Sequence, residues 1–174
     1  GGRGYVAVFL GVPVPVPAAT NPSDVYEFQG GTTIPYTHFS VCLSRSRRMC
    51  RFVAWNIDGG QLKKYGRKGL NFAFDPRIDE DAQTGNDAYV DNKLDRGHIA
   101  RRADLVWGPE AEARRANKDS FYYTNITPQH QAFNQSERAG LWGQLENAVY
   151  EDSEVEELKV SVMGGPIFKS SDRQ

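Results

Sequence analysis

Aromatic and β-branched residues recur near 36 to 43 and again near 49 to 57, on either side of an arginine-rich turn that holds Arg45, Arg47, Arg48 and Arg51. Such apolar runs flanking a polar turn predict two strands joined as a hairpin. Upstream, Val12-Pro13-Val14-Pro15-Val16-Pro17 is too dense in proline for a helix or a central strand, so residues 1–35 are expected to form an extended arm or loop. Asp79 to Asn92 is polar and predicts an irregular link. The Ala-, Glu- and Arg-rich stretch after Pro109 predicts a short helix, and Phe121 to Asn125 a strand. From Ser136 to Val149, Trp142, Leu145 and Val149 repeat at three- and four-residue spacing without a proline, which is the helical period. A last strand is expected from about Leu158 to Met163. Together these elements predict an α+β fold in one domain, 1–174, with no internal repeat.

Composition changes this picture little. At 174 residues the chain is long enough for one domain with a real core. Its formal net charge of −1 does not announce a nucleic-acid binder, but the charges are unevenly spread. Besides the arginine-rich turn, Lys63, Lys64, Arg67 and Lys68 form a second basic cluster, while Glu151, Asp152, Glu154, Glu156 and Glu157 gather near the end. Basic segments can follow a phosphate backbone through counterion release with little sequence preference; solvated turns explain either cluster equally well. Cys42 and Cys50 stand where they could face each other across the hairpin, and a disulfide and two free thiols are both allowed. No apolar stretch is long enough for a membrane helix and no signal-peptide pattern is present, which leaves the compartment open. The chain begins Gly1-Gly2, as a mature product, a processed fragment or one domain of a larger protein could.

The run Leu94-Asp95-Arg96-Gly97-His98 carries the first chemistry. Histidine alone has an ordinary pKa that leaves it neutral at pH 7 and able to accept a proton from water. Arg96 supplies a planar guanidinium that can grip two phosphate oxygens, and Gly97 lets the backbone bend with no side chain in the way. A surface ion pair and a satisfied histidine are the bland alternative for so short a motif. The other two of the three histidines have less chemical company: His38 sits in a strand-like run and His130 in a polar loop. Downstream, Asn125, Asn134 and Glu146 follow in order. Magnesium prefers oxygen ligands and needs only one or two from the protein, so a single Asn carbonyl can serve. Asn134 would stand at the entrance of the Ser136–Val149 helix with Glu146 about three turns on. A helix-capping asparagine and a solvated glutamate are the alternatives there.

These residues resemble the DNA/RNA non-specific endonucleases of the ββα-metal (His-Me finger) class, which includes the endonuclease G type. The likeness runs from Phe9-Leu10-Gly11 through Tyr36-Thr37-His38-Phe39-Ser40, Ala54-Trp55-Asn56-Ile57-Asp58-Gly59, Asp75-Pro76-Arg77-Ile78 and Asp95-Arg96-Gly97-His98. It continues through Asp104, Trp107-Gly108, Thr124-Asn125 and Phe133-Asn134-Gln135 to Gly165-Pro166-Ile167-Phe168. It implies a central, mostly antiparallel sheet flanked by helices and a metal-dependent, sugar-non-specific nuclease leaving 5′-phosphate and 3′-hydroxyl ends. By that resemblance His98 is the general base, Asn134 the direct ligand of Mg2+ (or Mn2+), and Glu146 the orderer of metal-bound water. Asn125 supports the histidine, Arg96 neutralises the scissile phosphate, and Arg77 corresponds to an upstream arginine that assists. DNA and RNA are the implied partners, with a homodimer or an inhibitor protein as further ones. Members of the family continue past the Gly-Pro-Ile-Phe landmark, so a companion C-terminal segment is expected to complete the sheet. A catalytically silent nucleic-acid-binding or inhibitor-binding module of the same fold is the alternative function.

Overall fold

Apolar residues on both faces of one hairpin set the centre of the molecule. The structure, a computed structural model, describes residues 2–90, 92–134 and 140–172. Strands β1 (Ile34–Pro35), β2 (Phe39–Leu43), β3 (Cys50–Asp58) and β6 (Lys159–Gly164) form an antiparallel sheet in the order β1-β2-β3-β6. All five residues of β2 are buried, as expected of a strand covered on both faces rather than one. Phe39, Val41, Leu43, Val53 and Ile57 form the core with Ile34, Leu105 and Ala116.

The expected hairpin is β2–β3, with a register shift between Cys42 and Leu43. Cys42 therefore stands opposite Phe52, Cys50 stands opposite Leu43, and both thiols are free and buried. Burial pushes the Cys50 thiol up to about 12. The arginine-rich turn is tied down by Asp24: its carboxylate accepts from Ser44 Oγ at 2.6 Å and Ser46 N at 2.8 Å, and it pairs with Arg51. The N-terminal segment is docked rather than free. Val6 N donates to Asn56 Oδ1 at 2.8 Å, Tyr5 N to Ser40 Oγ at 2.9 Å and Gly4 N to Tyr36 O at 2.8 Å.

A second, two-stranded sheet pairs β4 (Leu94–His98) with β5 (Ile126–His130). Between them lie α1 (Arg102–Leu105) and α2 (Glu110–Asp119), the latter being the helix expected after Pro109. The strand expected at Phe121 to Asn125 is absent: Tyr123–Asn125 is a 3-10 turn and β5 starts at Ile126. The backbone of Phe121 and Tyr123 bonds instead to Ala73, and the Asn125 side chain is occupied with Ala100 and Ser120. Pro128 is tolerated in β5 because a two-stranded sheet leaves every strand an unpaired edge.

Helix α3 (Gln131–Asn134) follows directly, and α4 (Leu141–Val155) runs past the expected end at Val149; residues 136–139 of the expected helix lie outside the described residues. Its inward stripe also differs. Val149 packs on the core, whereas Leu145 is 56% exposed, and Gly143 and Ser153 are the buried positions. Gly59 is where α4 meets the end of β3, since a Cβ there would lie 1.8 Å from the Ser153 carbonyl oxygen.

Candidate active site

Strand β4 carries Leu94, Arg96 and His98 at two-residue spacing, the period that puts side chains on one face. Its Gly97 is needed for a reason the motif did not suggest. A Cβ there would fall 2.1 Å from Cδ of Gln129, whose buried side chain lies across the strand. Gly97 thus leaves room for the Gln129 side chain where β5 pairs with β4.

His98 and Arg96 open onto a cleft of about 490 Å³. Arg67, Phe72, Leu94, Asp95, Arg101, Arg102, Ala103, Phe121, Asn134 and Glu146 complete its lining. The His98 ring meets Phe121 edge-on at 5.2 Å between centroids and tilts against Phe72 at 5.8 Å. Its Nε2 is sealed from solvent and has no hydrogen-bond partner among the described residues. Burial, reinforced by the charges of Arg67 and Arg102, pushes the imidazole down to about 4. The ring is therefore neutral at pH 7.

Asn134 donates from Nδ2 to Asp95 Oδ2 at 3.2 Å. A carboxylate only accepts, so this bond turns the amide nitrogen toward Asp95 and leaves the carbonyl oxygen as the group Asn134 can offer a cation. Among the described residues, no cluster of three or more His, Cys, Asp or Glu is arranged to hold a metal. A cation in this cleft would rest on few protein oxygens and on water, a mode magnesium accepts; the donor set fits it. Glu146, on α4, is pushed up to about 7 by burial, against the opposing charge of Arg101 and with the nearby Asp104 carboxylate adding to the rise.

The fixed order of site residues in the sequence thus becomes one cleft for His98, Arg96, Asn134 and Glu146. Asn125 stands behind it, fully buried. Its Oδ1 accepts from Ala100 N at 2.9 Å, and its Nδ2 donates to Ala100 O at 3.0 Å and Ser120 O at 3.1 Å, which fixes the chain just beyond His98. Arg77 is not in the lining. Its guanidinium is held by Asp75 at 2.7 Å, donates to Pro35 O at 2.9 Å and lies over Tyr36 at 4.6 Å, so its donors serve the sheet.

Arg67, Arg101 and Arg102 are cleft residues that sequence reasoning did not single out. Arg67 was visible only as part of a basic cluster. Arg101-Arg102 begins three residues after His98, and that proximity was the available signal. His38 lies elsewhere, stacked on Trp107 at 3.5 Å and bonded to Glu112 at 2.8 Å. His130 ends β5 rather than sitting in a loop.

Comparison with known proteins bears on this cleft. The family model of DNA/RNA non-specific endonucleases matches residues 18–174. Protein y4fB of Sinorhizobium fredii is 37% identical over 188 residues, covering 100% of this chain and 28% of that protein. The mitochondrial nuclease EXOG of Danio rerio is 30% identical, covering 77% of this chain and 36% of its own length. The Homo sapiens EXOG is 29% identical, covering 76% and 33% respectively. This chain therefore spans about a third of the curated relatives it matches. Among solved structures, EndoG in its complex with EndoGI superposes with a TM-score of 0.66 at 22% identity, covering 79% of this chain and 54% of that one. That likeness identifies the architecture as the ββα-metal nuclease fold.

Proposed function

The chain belongs to the DNA/RNA non-specific endonuclease family, and from that premise we propose that it hydrolyses phosphodiester bonds in both DNA and RNA with a divalent cation, magnesium first. The observation that carries this reading is the convergence of His98, Arg96, Asn134 and Glu146 on one cleft from strand β4 and helices α3 and α4.

A phosphodiester is anionic and repels nucleophiles, so the site must supply positive charge and an activated water together. His98, neutral because its surroundings disfavour the imidazolium, takes the proton of the attacking water. Arg96 meets the charge growing on the non-bridging oxygens. It is held for this by a hydrogen bond to Asn86 and by the flanking rings of Tyr89 and Phe72 at 5.3 and 5.6 Å. A cation held by the Asn134 carbonyl would act as Lewis acid and template for the scissile phosphate. Glu146, whose carboxyl burial raises to about 7, orders water beside Asn134 and hands a proton toward the departing 3′ oxygen. The products carry 5′-phosphate and 3′-hydroxyl ends. Because water rather than a ribose 2′-hydroxyl attacks, the sugar is not part of the chemistry and both nucleic acids are substrates.

The test is cleavage of supercoiled plasmid and of single-stranded RNA at low salt, with magnesium, with EDTA and with His98→Ala at matched folded concentration. Magnesium-dependent cutting of both substrates is expected, reduced at least about 10²-fold in the variant. A folded wild-type chain that binds nucleic acid and cuts neither substrate would favour the silent binding module.

A further inference from the structure

Among the described residues four guanidinium groups line the cleft, and their hydrogen bonds divide them. Arg102 is engaged through Nη1 with Tyr65 O at 2.7 Å and Asn117 Oδ1 at 3.1 Å, so it braces the wall. Arg96 is tethered to Asn86. Arg67 is exposed and stands over Phe121 at 5.7 Å. Arg101 differs from all three: its Nη1 is shielded from solvent yet has no hydrogen-bond partner among the described residues. A buried N–H without an acceptor is destabilising, so a fold that keeps one beside a cleft has a group waiting for an acceptor.

The surroundings hold Arg101 in that condition. The chain just before it is fixed by the two hydrogen bonds between the Asn125 side chain and the Ala100 backbone. Its guanidinium lies over the Tyr150 ring at 5.3 Å, an aromatic contact that orients the cation without occupying its donors. Two carboxyl groups, Asp104 and Glu146, feel its charge, but neither forms an ion pair with it. Asp104 gives its Oδ2 to Trp55 Nε1 at 3.1 Å instead. Arg101 is thus oriented by packing and has an unpartnered donor at the wall of the cleft that Glu146 also lines.

We infer that Arg101 is a substrate-contacting residue that grips a backbone phosphate with two donors, in the cleft it shares with Arg96. This rests on the cleft being a phosphodiester site. The acceptor is a phosphate oxygen of single- or double-stranded nucleic acid. Arg101 then adds its charge to that of Arg96 in balancing the phosphate anion.

The test combines binding with cleavage. In a His98→Ala background with EDTA, affinity for a fluorescent single-stranded oligodeoxynucleotide is measured across a salt series for Arg101, Arg101→Gln and Arg101→Lys. Arg101→Gln is expected to lower the log–log salt slope by about 0.7, the loss of one phosphate contact on a single strand. With His98 present and magnesium added, it is expected to lower kcat/KM by roughly 10²-fold. Arg101→Lys keeps the charge, so the slope stays while kcat/KM falls about tenfold with loss of the two-donor grip. This variant serves if Arg101→Gln fails to fold. Cleavage by Arg101→Lys at the wild-type rate would overturn the proposal, as would a folded Arg101→Gln with unchanged salt slope, whether or not cleavage falls. A chain that binds no oligonucleotide would overturn the nuclease reading as well, whereas one that binds and cuts while ignoring both substitutions overturns only the role of Arg101.

Discussion

At the scale of single residues, the sequence exposed those parts of the site whose meaning is local. Asp95, Arg96, Gly97 and His98 are adjacent, so their chemistry can be weighed before any fold is known, and the cleft contains all but the glycine. Arg67 and Arg101 were not legible because what distinguishes them is the path that brings them beside His98 and Glu146. Arg77 stands outside the lining of this cleft, and what holds it there is local. Its partner Asp75 is only two residues away, and a local ion pair consumes the guanidinium. The state of His98 gives a prediction at this scale. Its folded pKa is depressed, so between 6.5 and about 4 the unfolded chain binds more protons than the folded one. The stability this contributes is present above 6.5 and lost as pH falls through that window. Asp104 and Glu146, both pushed up to about 7, act with the opposite sign, so wild type alone does not isolate the histidine. Comparing melting of wild type with His98→Gln does. The variant is expected to gain on wild type by up to about 3 kcal/mol between pH 7.5 and 4, at about 1.36 kcal/mol per pH unit. A constant difference between the two proteins would show that His98 titrates normally in the folded chain.

At the scale of elements, hydrophobic period found the β2–β3 hairpin, the helix after Pro109 and the strand at Lys159–Gly164. It failed at Phe121 to Asn125, where aromatic and β-branched composition resembles a strand but a buried asparagine takes the backbone into a turn. Composition cannot reveal that, because Asn125 acts through Ala100, a residue 25 positions away. In α4 the period was right and the face was partly wrong. Trp142, Leu145 and Val149 share a spacing, yet the inward stripe continues through Glu146, which lines the cleft where an ordinary core helix would bury an apolar side chain. Leu145 therefore points outward. Val149→Ala is expected to destabilise by about 1–2 kcal/mol, and Leu145→Ala to stay within about 0.5 kcal/mol. Equal losses in urea unfolding would contradict the orientation of α4.

At the scale of the whole molecule, a four-stranded sheet builds the core while the pair β4–β5 presents Arg96 and His98 to the cleft, so the proposed function depends on how the two are joined. Tyr36 makes one of the joins. Its hydroxyl, buried beside β1, donates to Asp75 Oδ2 at 2.6 Å and shares a hydrogen bond with Thr124 Oγ1 at 2.7 Å, next to Asn125. Trp55 Nε1 makes a second, reaching from β3 to Asp104 on α1. Such buried polar links couple the two sheets because breaking either leaves groups without partners in the interior. The molecule should then melt as one cooperative unit. Tyr36→Phe keeps the ring that stacks on Phe39 at 4.8 Å and removes only the hydroxyl. It is expected to cost about 1–3 kcal/mol. Followed by tryptophan fluorescence for the sheet and by the His98 ring proton in NMR for β4–β5, the two transitions should coincide in wild type and move down together in the variant. If the His98 signal melts first while fluorescence is unmoved, β4–β5 and its cleft are a separately unfolding unit, and Tyr36 belongs to its stability alone.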